Sequence, residues 1–359
     1  MTKIAQKTSI LFACAGALLM GGCVTSPDSV EPAASADKPI VIAHRGASGI
    51  LPEHTLAAYK LAIEQGADYI EPDLVMTKDG VLVARHDPWL SDSTDIADHP
   101  EFEGRKTTLT DPNGNEITDW FVWDFSLEEI KTLRATQTRP GRDQSHNGLY
   151  EIPTLQEILE LAGIPSREVD ISFGSRHPRA GQSLNINGQT ACLYVETKWP
   201  SHHKARGFDL AQALRAQIPE DFEGAVCDPV VYIQSFEAPI LKELNETSDF
   251  KLIQLVVPQG YRPDGEPSYA LEEIATYADG VGPFKSLLFD MSTGEPSDYA
   301  ARAKALGLEV HIWTIRDDDV APGFDDVEDE IRAVINAGAT GFFTDFPGTG
   351  RRVVDELTR

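Results

Sequence analysis

Positive charge is in short supply: 31 Lys and Arg stand against 57 Asp and Glu, a formal net charge of −26. Phosphate backbones select basic surfaces, so nucleic acid is excluded as the main partner. Adsorption to anionic lipid is disfavoured for the same reason. What remains is a soluble body that either uses acid for solubility or holds a cation in its site. Cysteine is scarce as well. Cys14, Cys23, Cys192 and Cys227 are the four present, and none has the spacing that argues for zinc. No glycine-rich loop follows the first apolar strand pattern, which argues against dinucleotide and P-loop chemistry. The apolar run Ile10–Met20 is too short to span a bilayer comfortably. The apolar fraction of 41% is ordinary, so the 359 residues can bury a sizeable core without staples.

That short run has another use. Lys3 and Lys7 precede it and Gly21-Gly22-Cys23 follow, the layout of a secretory signal at 1–22. Small residues before a cysteine resemble a bacterial lipobox, in which Cys23 is lipidated and becomes the mature N-terminus. Met20 departs from the usual Leu, so cleavage by ordinary signal peptidase is the alternative. Residues 23–38, with Ser, Pro, Ala and Asp prominent, read as a tether without a core. The expectation is an exported, periplasmic protein touching the membrane only through this anchor. Cys192 and Cys227 either pair in that compartment or stay as buried thiols; sequence leaves both open.

Beyond the tether, short β-rich apolar runs alternate with amphipathic stretches. The runs are 39–44, 69–75, 191–197, 230–235, 251–257, 280–283, 309–315 and 341–346. The stretches are 54–65, 154–162, 208–217, 239–245, 270–278, 297–306 and 327–337. Repeated βα units imply a parallel sheet covered on both faces. Eight of them predict a closed (β/α)8 TIM barrel over 39–357, an α/β fold. Residues 90–150, with Phe102, Trp120, Phe121, Trp123 and Phe125, read as an insertion after the second strand with a small core of its own. Residues 164–190 read as a long loop, either a lid or disordered.

The densest chemical signal lies between 42 and 87. His44 and Arg45 stand where the first strand runs out, before Pro52-Glu53-His54-Thr55. Glu71 and Asp73, two apart on the second strand, project from one face. Two such carboxylates repel unless one is protonated or a cation joins them, and oxygen ligands suit a hard divalent ion. Pro72 between them cannot join a ladder, so the strand must end or deform there. Barrel enzymes place their sites at that strand edge. Two plain surface carboxylates are the alternative. Glu196 and Lys198 repeat the spacing on the third strand, offering a third oxygen ligand and a charge for phosphate. A Glu196–Lys198 ion pair is disfavoured by that spacing on a flat strand. His44 and His86 can serve as general base and acid, and Arg45 offers a bidentate fork to phosphate. Asp87 either orients His86 or caps a turn.

These residues resemble the glycerophosphodiester phosphodiesterase family. The matching motifs are His44-Arg45-Gly46, Pro52-Glu53-His54-Thr55, Gly66 to Glu71 with Asp73, Thr77-Lys78-Asp79-Gly80, His86-Asp87 and Glu196 with Lys198. Phe236, Gly282-Pro283, Trp313-Thr314 and Gly341 to Pro347 continue them. The 90–150 insertion and His54 look like the periplasmic GlpQ-like branch; 164–190 fits it less well. The resemblance implies one Ca²⁺, rather than Mg²⁺, on Glu71, Asp73 and Glu196. It implies His44 and His86 as the acid–base pair, Arg45 and Lys198 as phosphate clamps, and Glu53 as support for Arg45. Phe236 and Trp313 become an apolar wall for glycerol, unless they are barrel-core aromatics. Asp345 is a site residue or the cap of the last helix.

The implied reaction splits small glycerophosphodiesters into sn-glycerol 3-phosphate and an alcohol. Hydrolysis of intact phospholipid and a non-catalytic surface-binding lipoprotein are the alternatives. Sequence carries no signal for oligomeric state.

Overall fold

The structure is a computed structural model that describes residues 38–111, 114–165, 191–220, 227–261, 265–290 and 292–359. The signal segment, Cys23 with nearly all of the tether, and most of the 164–190 loop lie outside the described residues.

Eight parallel strands close into a barrel. They are β1 (Ile40–His44), β2 (Tyr69–Glu71, resuming as Asp73–Met76), β3 (Cys192–Thr197), β4 (Val231–Ser235), β5 (Lys251–Val256), β6 (Gly280–Pro283), β7 (Glu309–Ile315) and β8 (Gly341–Thr344). Each pairs with its neighbours in order, and β8 returns to β1 with Ile40 opposite Gly341. The outer layer holds α1 (Leu56–Glu64), α2 (Leu155–Ala162), α3 (Leu210–Gln217), α4 (Ala238–Thr247), α5 (Leu271–Ile274), α6 (Tyr299–Ala305), α7 (Val327–Asn336) and α8 (Pro347–Leu357). Their starts are chemically marked. Thr55 accepts from Ala58 N, Thr154 and Glu157 form a capping box, and Asp326 accepts from Asp329 N. The pattern over 270–278 is α-helical only through Ile274. Beyond it the chain tightens, Tyr277 N bonding Ile274 O, before entering β6.

Pro72 marks where β2 changes partners. Up to Glu71 the strand pairs with β1, His44 opposite Glu71; past Pro72 it keeps only β3, Asp73 opposite Glu196. The freed edge of Asp73–Met76 pairs antiparallel with Leu82–Ala84. Val75 and Val83 of this hairpin join Phe102, Trp120, Phe121, Trp123 and Phe125 in one apolar cluster. These aromatics form a cluster distinct from the main barrel core, and Val75 and Val83 join it to the hairpin.

Alternation along the strands sorts the interior. Ile42, Tyr69, Tyr194, Tyr232 and Phe343 fill the barrel. Two residues further along, the same inward positions become His44, Glu71, Glu196, Gln234 and Asp345. A two-residue period thus carries an apolar plug below and a polar layer at the C-terminal mouth. Near the opposite end, Cys192 and Cys227 are joined in a disulfide, Cα atoms 6.3 Å apart. Among the described residues no helix is long and apolar enough to cross a membrane.

Candidate active site

The loop after β1 is held in an uncommon backbone shape. Arg45 (φ 60°) and His54 (φ 54°) occupy the left-handed region, which non-glycine residues enter at a cost tolerated mostly at functional sites. Gly46 (φ 86°) must be glycine, since a Cβ there would lie 2.7 Å from the Ala58 backbone. The turn aims Arg45 across the mouth. Its Nη1 donates to Glu53 Oε2 at 2.8 Å, its Nε lies 3.5 Å from Asp73 Oδ2, and its backbone N–H donates to Glu71 Oε2 at 2.8 Å.

Glu71, Asp73 and Glu196 each place an oxygen within 4.8 Å of the others, and all three are buried. Burial and the neighbouring carboxylates push Glu71 well above the usual carboxylate range. Burial also raises Glu196 despite Lys198. Asp73 goes the other way: burial alone would raise it, but Lys198 and His54 hold it well below. Three carboxylates so close cannot all ionise without added positive charge. Asp73 Oδ1 is also buried without a hydrogen-bond partner. A hard divalent cation meets both needs, so the residues present fit one.

Lys198 Nζ donates to Glu196 Oε1 at 2.8 Å, the pairing that strand geometry disfavours. The reason is local: β3 ends at Thr197 and Trp199 turns at φ 50°, so Lys198 leaves the pleat and its stem can fold back. The same ammonium lies 3.9 Å from Asp73 Oδ1.

His44 Nδ1 is 2.6 Å from Asp345 Oδ1, and His86 Nδ1 is 2.6 Å from Asp87 Oδ2. Asp87 therefore orients His86. Asp345 makes no cap on α8 and belongs to the site. Burial, with Arg45 nearby, pushes the His44 imidazole down to about 4 against the pull of Asp345. His44, Arg45, His86, Lys198, Phe236 and Trp313 line one cavity with the acidic trio's Glu71 and Glu196. Phe236 and Trp313 meet edge to face, 5.6 Å between centroids, on its wall. A second cavity shares Arg45 and His86 and extends to Glu53, Asp87, Trp89 and Thr138.

Other contributors have contacts that the sequence does not assign. Gln234 Nε2 donates to Glu71 Oε1 at 3.2 Å; a polar residue inside the run VYIQS was its signal. His54 Nε2 bonds Asp73 Oδ2 at 2.9 Å. Buried Arg85 braces the loop before α1 by donating to Glu53 O at 3.0 Å. Arg316 and Arg142 both donate to Asp345. Arg142 sits in a stretch without periodicity, where no local pattern could announce it.

The sequence profile of the glycerophosphoryl diester phosphodiesterase family matches residues 44–349. A glycerophosphodiester phosphodiesterase of Arabidopsis thaliana is 33% identical, over 92% of this chain and 92% of its own. One from Haemophilus influenzae is 33% identical, over 96% and 97%. Among solved structures, a phosphodiesterase of Oleispira antarctica in complex with the product sn-glycerol-3-phosphate superposes with a TM-score of 0.56 at 22% identity, covering 88% of this chain and 97% of its own. One from Silicibacter pomeroyi gives 0.58 at 23%, over 89% and 94%. At those identities the structures speak to the barrel alone.

Proposed function

On the premise that this chain belongs to the glycerophosphodiester phosphodiesterase family and is an enzyme of that class, we propose a metal-dependent hydrolysis driven by two histidines. The substrates are small glycerophosphodiesters, the products sn-glycerol 3-phosphate and an alcohol. One observation carries this reading: three buried carboxylates and two carboxylate-bound histidines converge on the mouth with Arg45 and Lys198.

Glu71, Asp73 and Glu196 would hold the ion. Ca²⁺ fits better than Mg²⁺, because Mg²⁺ tends to keep its waters rather than accept an all-protein cage. When bound, the cation supplies charge neutralisation at the phosphoryl oxygens. Arg45, fixed by Glu53, and Lys198 grip the phosphate oxygens. His44, neutral and donating Nδ1–H to Asp345, keeps the Nε2 lone pair free to take a proton from the attacking group, which is water or the neighbouring glycerol hydroxyl. In the second case water then opens the cyclic phosphate to glycerol 3-phosphate. His86, anchored through Nδ1 to Asp87, delivers a proton from Nε2 to the departing alcohol. Phe236 and Trp313 lie along the glycerol carbons, and the second cavity beyond His86 gives the alcohol its room. The names of the two relatives at 33% identity, both glycerophosphodiester phosphodiesterases, support this choice of substrate.

The protein is also proposed to act outside the cytoplasm, tethered through lipidated Cys23. The Cys192–Cys227 disulfide suits an oxidising compartment. The decisive assay couples glycerol 3-phosphate release to a dehydrogenase, with glycerophosphocholine and intact phosphatidylcholine compared. Activity should appear on the deacylated substrate, vanish in EDTA and return with Ca²⁺. Turnover that survives both EDTA and Glu71→Ala would sink the metal reading.

A further inference from the structure

We infer that Arg142 is a positioning residue for His44, acting through Asp345. The inference rests on the reading of His44 as an acid–base group. Asp345 is 2% exposed at the end of β8, and its two oxygens have different tasks. Oδ1 meets His44 Nδ1 at 2.6 Å. Oδ2 receives Arg142 Nη2 at 2.6 Å and Arg316 Nε at 2.8 Å. The terminal torsion of an aspartate is soft, so one hydrogen bond to an imidazole does not fix either ring or carboxylate. Donors on the second oxygen do.

The two arginines stand in different places. Arg316 lines the cavity and can meet substrate. Arg142 is not among the cavity's lining residues, with a side chain only 5% exposed. Its guanidinium is itself locked, giving Nε to Asp318 Oδ2 at 2.7 Å, Nη2 to Asp318 Oδ1 at 3.0 Å and Nη1 to Ser48 O at 3.1 Å. This fork between two carboxylates needs arginine's planar geometry, which lysine cannot reproduce. The surrounding segment works to the same end. Gln137 Nε2 donates to Ser48 O at 3.1 Å, and Thr138 Oγ1 donates to Glu53 Oε2 at 3.3 Å. Residues 137–142 thus touch the partner of Arg45 and the partner of His44 together.

The test is a double-mutant cycle on the full chain, with kcat, KM and melting temperature measured on glycerophosphocholine in saturating Ca²⁺. Arg142→Met is expected to lower kcat about thirtyfold with KM within about twofold, and Arg142→Lys to recover part of the loss. Asp345→Asn should lose at least as much, and adding Arg142→Met to it should cost little more, because both act through one carboxylate. Losses that multiply in the double variant overturn the inference, as does an Arg142→Met kcat within about twofold of wild type. Should Arg142→Met not fold, Asp318→Asn reads the same relay from the surface. It is expected to lose about three- to fivefold in kcat with an unchanged melting temperature, and an unchanged kcat overturns the inference. His44→Ala, run alongside, separates the two failures. Wild-type activity there would strike the acid–base reading itself.

Discussion

His54 Nε2 lies 2.9 Å from Asp73 Oδ2, and its Nδ1 lies 2.8 Å from the Tyr59 hydroxyl. Burial pushes this imidazole down to about 4, so near neutral pH it is uncharged. It therefore donates from Nε2 and accepts from Tyr59. The pair fixes which oxygen of Asp73 is used up and leaves Oδ1, without a partner, to face Glu196 and Lys198. Replacing His54 with Leu should leave Asp73 free to turn and weaken Ca²⁺ binding about ten- to a hundredfold by calorimetry. His54→Asn keeps a donor and should retain more of the affinity. Equal binding by the Leu variant would remove His54 from the metal site.

A second consequence concerns the repulsion among the three carboxylates. Burial and the charges of Asp73 and Glu196 hold the Glu71 carboxyl well above its ordinary range. Glu71→Gln removes a carboxyl that the metal-free protein is driven to hold protonated, at a cost to folding near neutral pH. The chelated variant should melt higher than chelated wild type. It should also gain no stabilisation from added Ca²⁺, since only binding to the native state raises the melting temperature. Activity should fall at least about a hundredfold. A variant that melts lower without metal, or still responds to Ca²⁺, contradicts this account.

The acid limb of the rate profile follows from His44. A general base must be neutral, and burial beside Arg45 keeps this one neutral down to about pH 4. The kcat/KM of the metal-loaded enzyme should therefore hold from neutral pH to about 5 and fall only as pH approaches 4. An acid limb centred at the ordinary histidine value of 6.5 would assign the base to another group.

Much of this arrangement is legible in the order of residues alone. Most strands announce themselves as short runs rich in β-branched, aromatic and other apolar residues, whereas β6, Gly280–Pro283, carries a single β-branched residue. Pro72, lacking an N–H, marks where β2 leaves β1. The inward polar residues stand out because Glu71, Asp73 and Glu196 interrupt apolar strands. Other features depend on contacts distant in sequence. Arg142 reaches Asp345 across 203 positions from a loop with no periodicity. Cys192 and Cys227 meet only because the barrel brings the start of β3 beside the approach to β4. The Lys198–Glu196 contact turns on where β3 stops, and strand ends are poorly defined by propensity.

His203 makes a stability prediction away from the site. It is fully buried, neither ring nitrogen has a hydrogen-bond partner, and Trp123 packs edge-on with centroids 5.2 Å apart. Burial, with Arg206 and His202 nearby, pushes it down to about 3 from an ordinary 6.5. The unfolded chain therefore binds this proton more readily. The stability His203 contributes is fully present above pH 6.5 and is lost as pH falls from there toward 3. At pH 5 the loss is roughly 2 kcal/mol. Urea unfolding of His203→Leu should show a shallower decline between pH 7 and 5 than wild type. Parallel declines would mean the ring is hydrated in solution.

The Cys192–Cys227 bridge closes a 35-residue span between the start of β3 and the approach to β4. Cross-linking a loop of that length removes disorder from the unfolded chain, a stabilisation of about 4 kcal/mol when native geometry is unstrained. Cys192→Ser, Cys227→Ser and the double variant should therefore lose similar stability in urea, each by roughly 2–4 kcal/mol. Reductant should bring wild type to their level while leaving the variants unchanged. Turnover at room temperature should survive, because the bridge lies at the far end of β3 from Glu196. Its neighbour Pro229 is held independently, its carbonyl accepting from the Tyr69 hydroxyl at 2.7 Å. Loss of kcat in the folded variants would instead mean that the bottom of the barrel sets the geometry of its mouth.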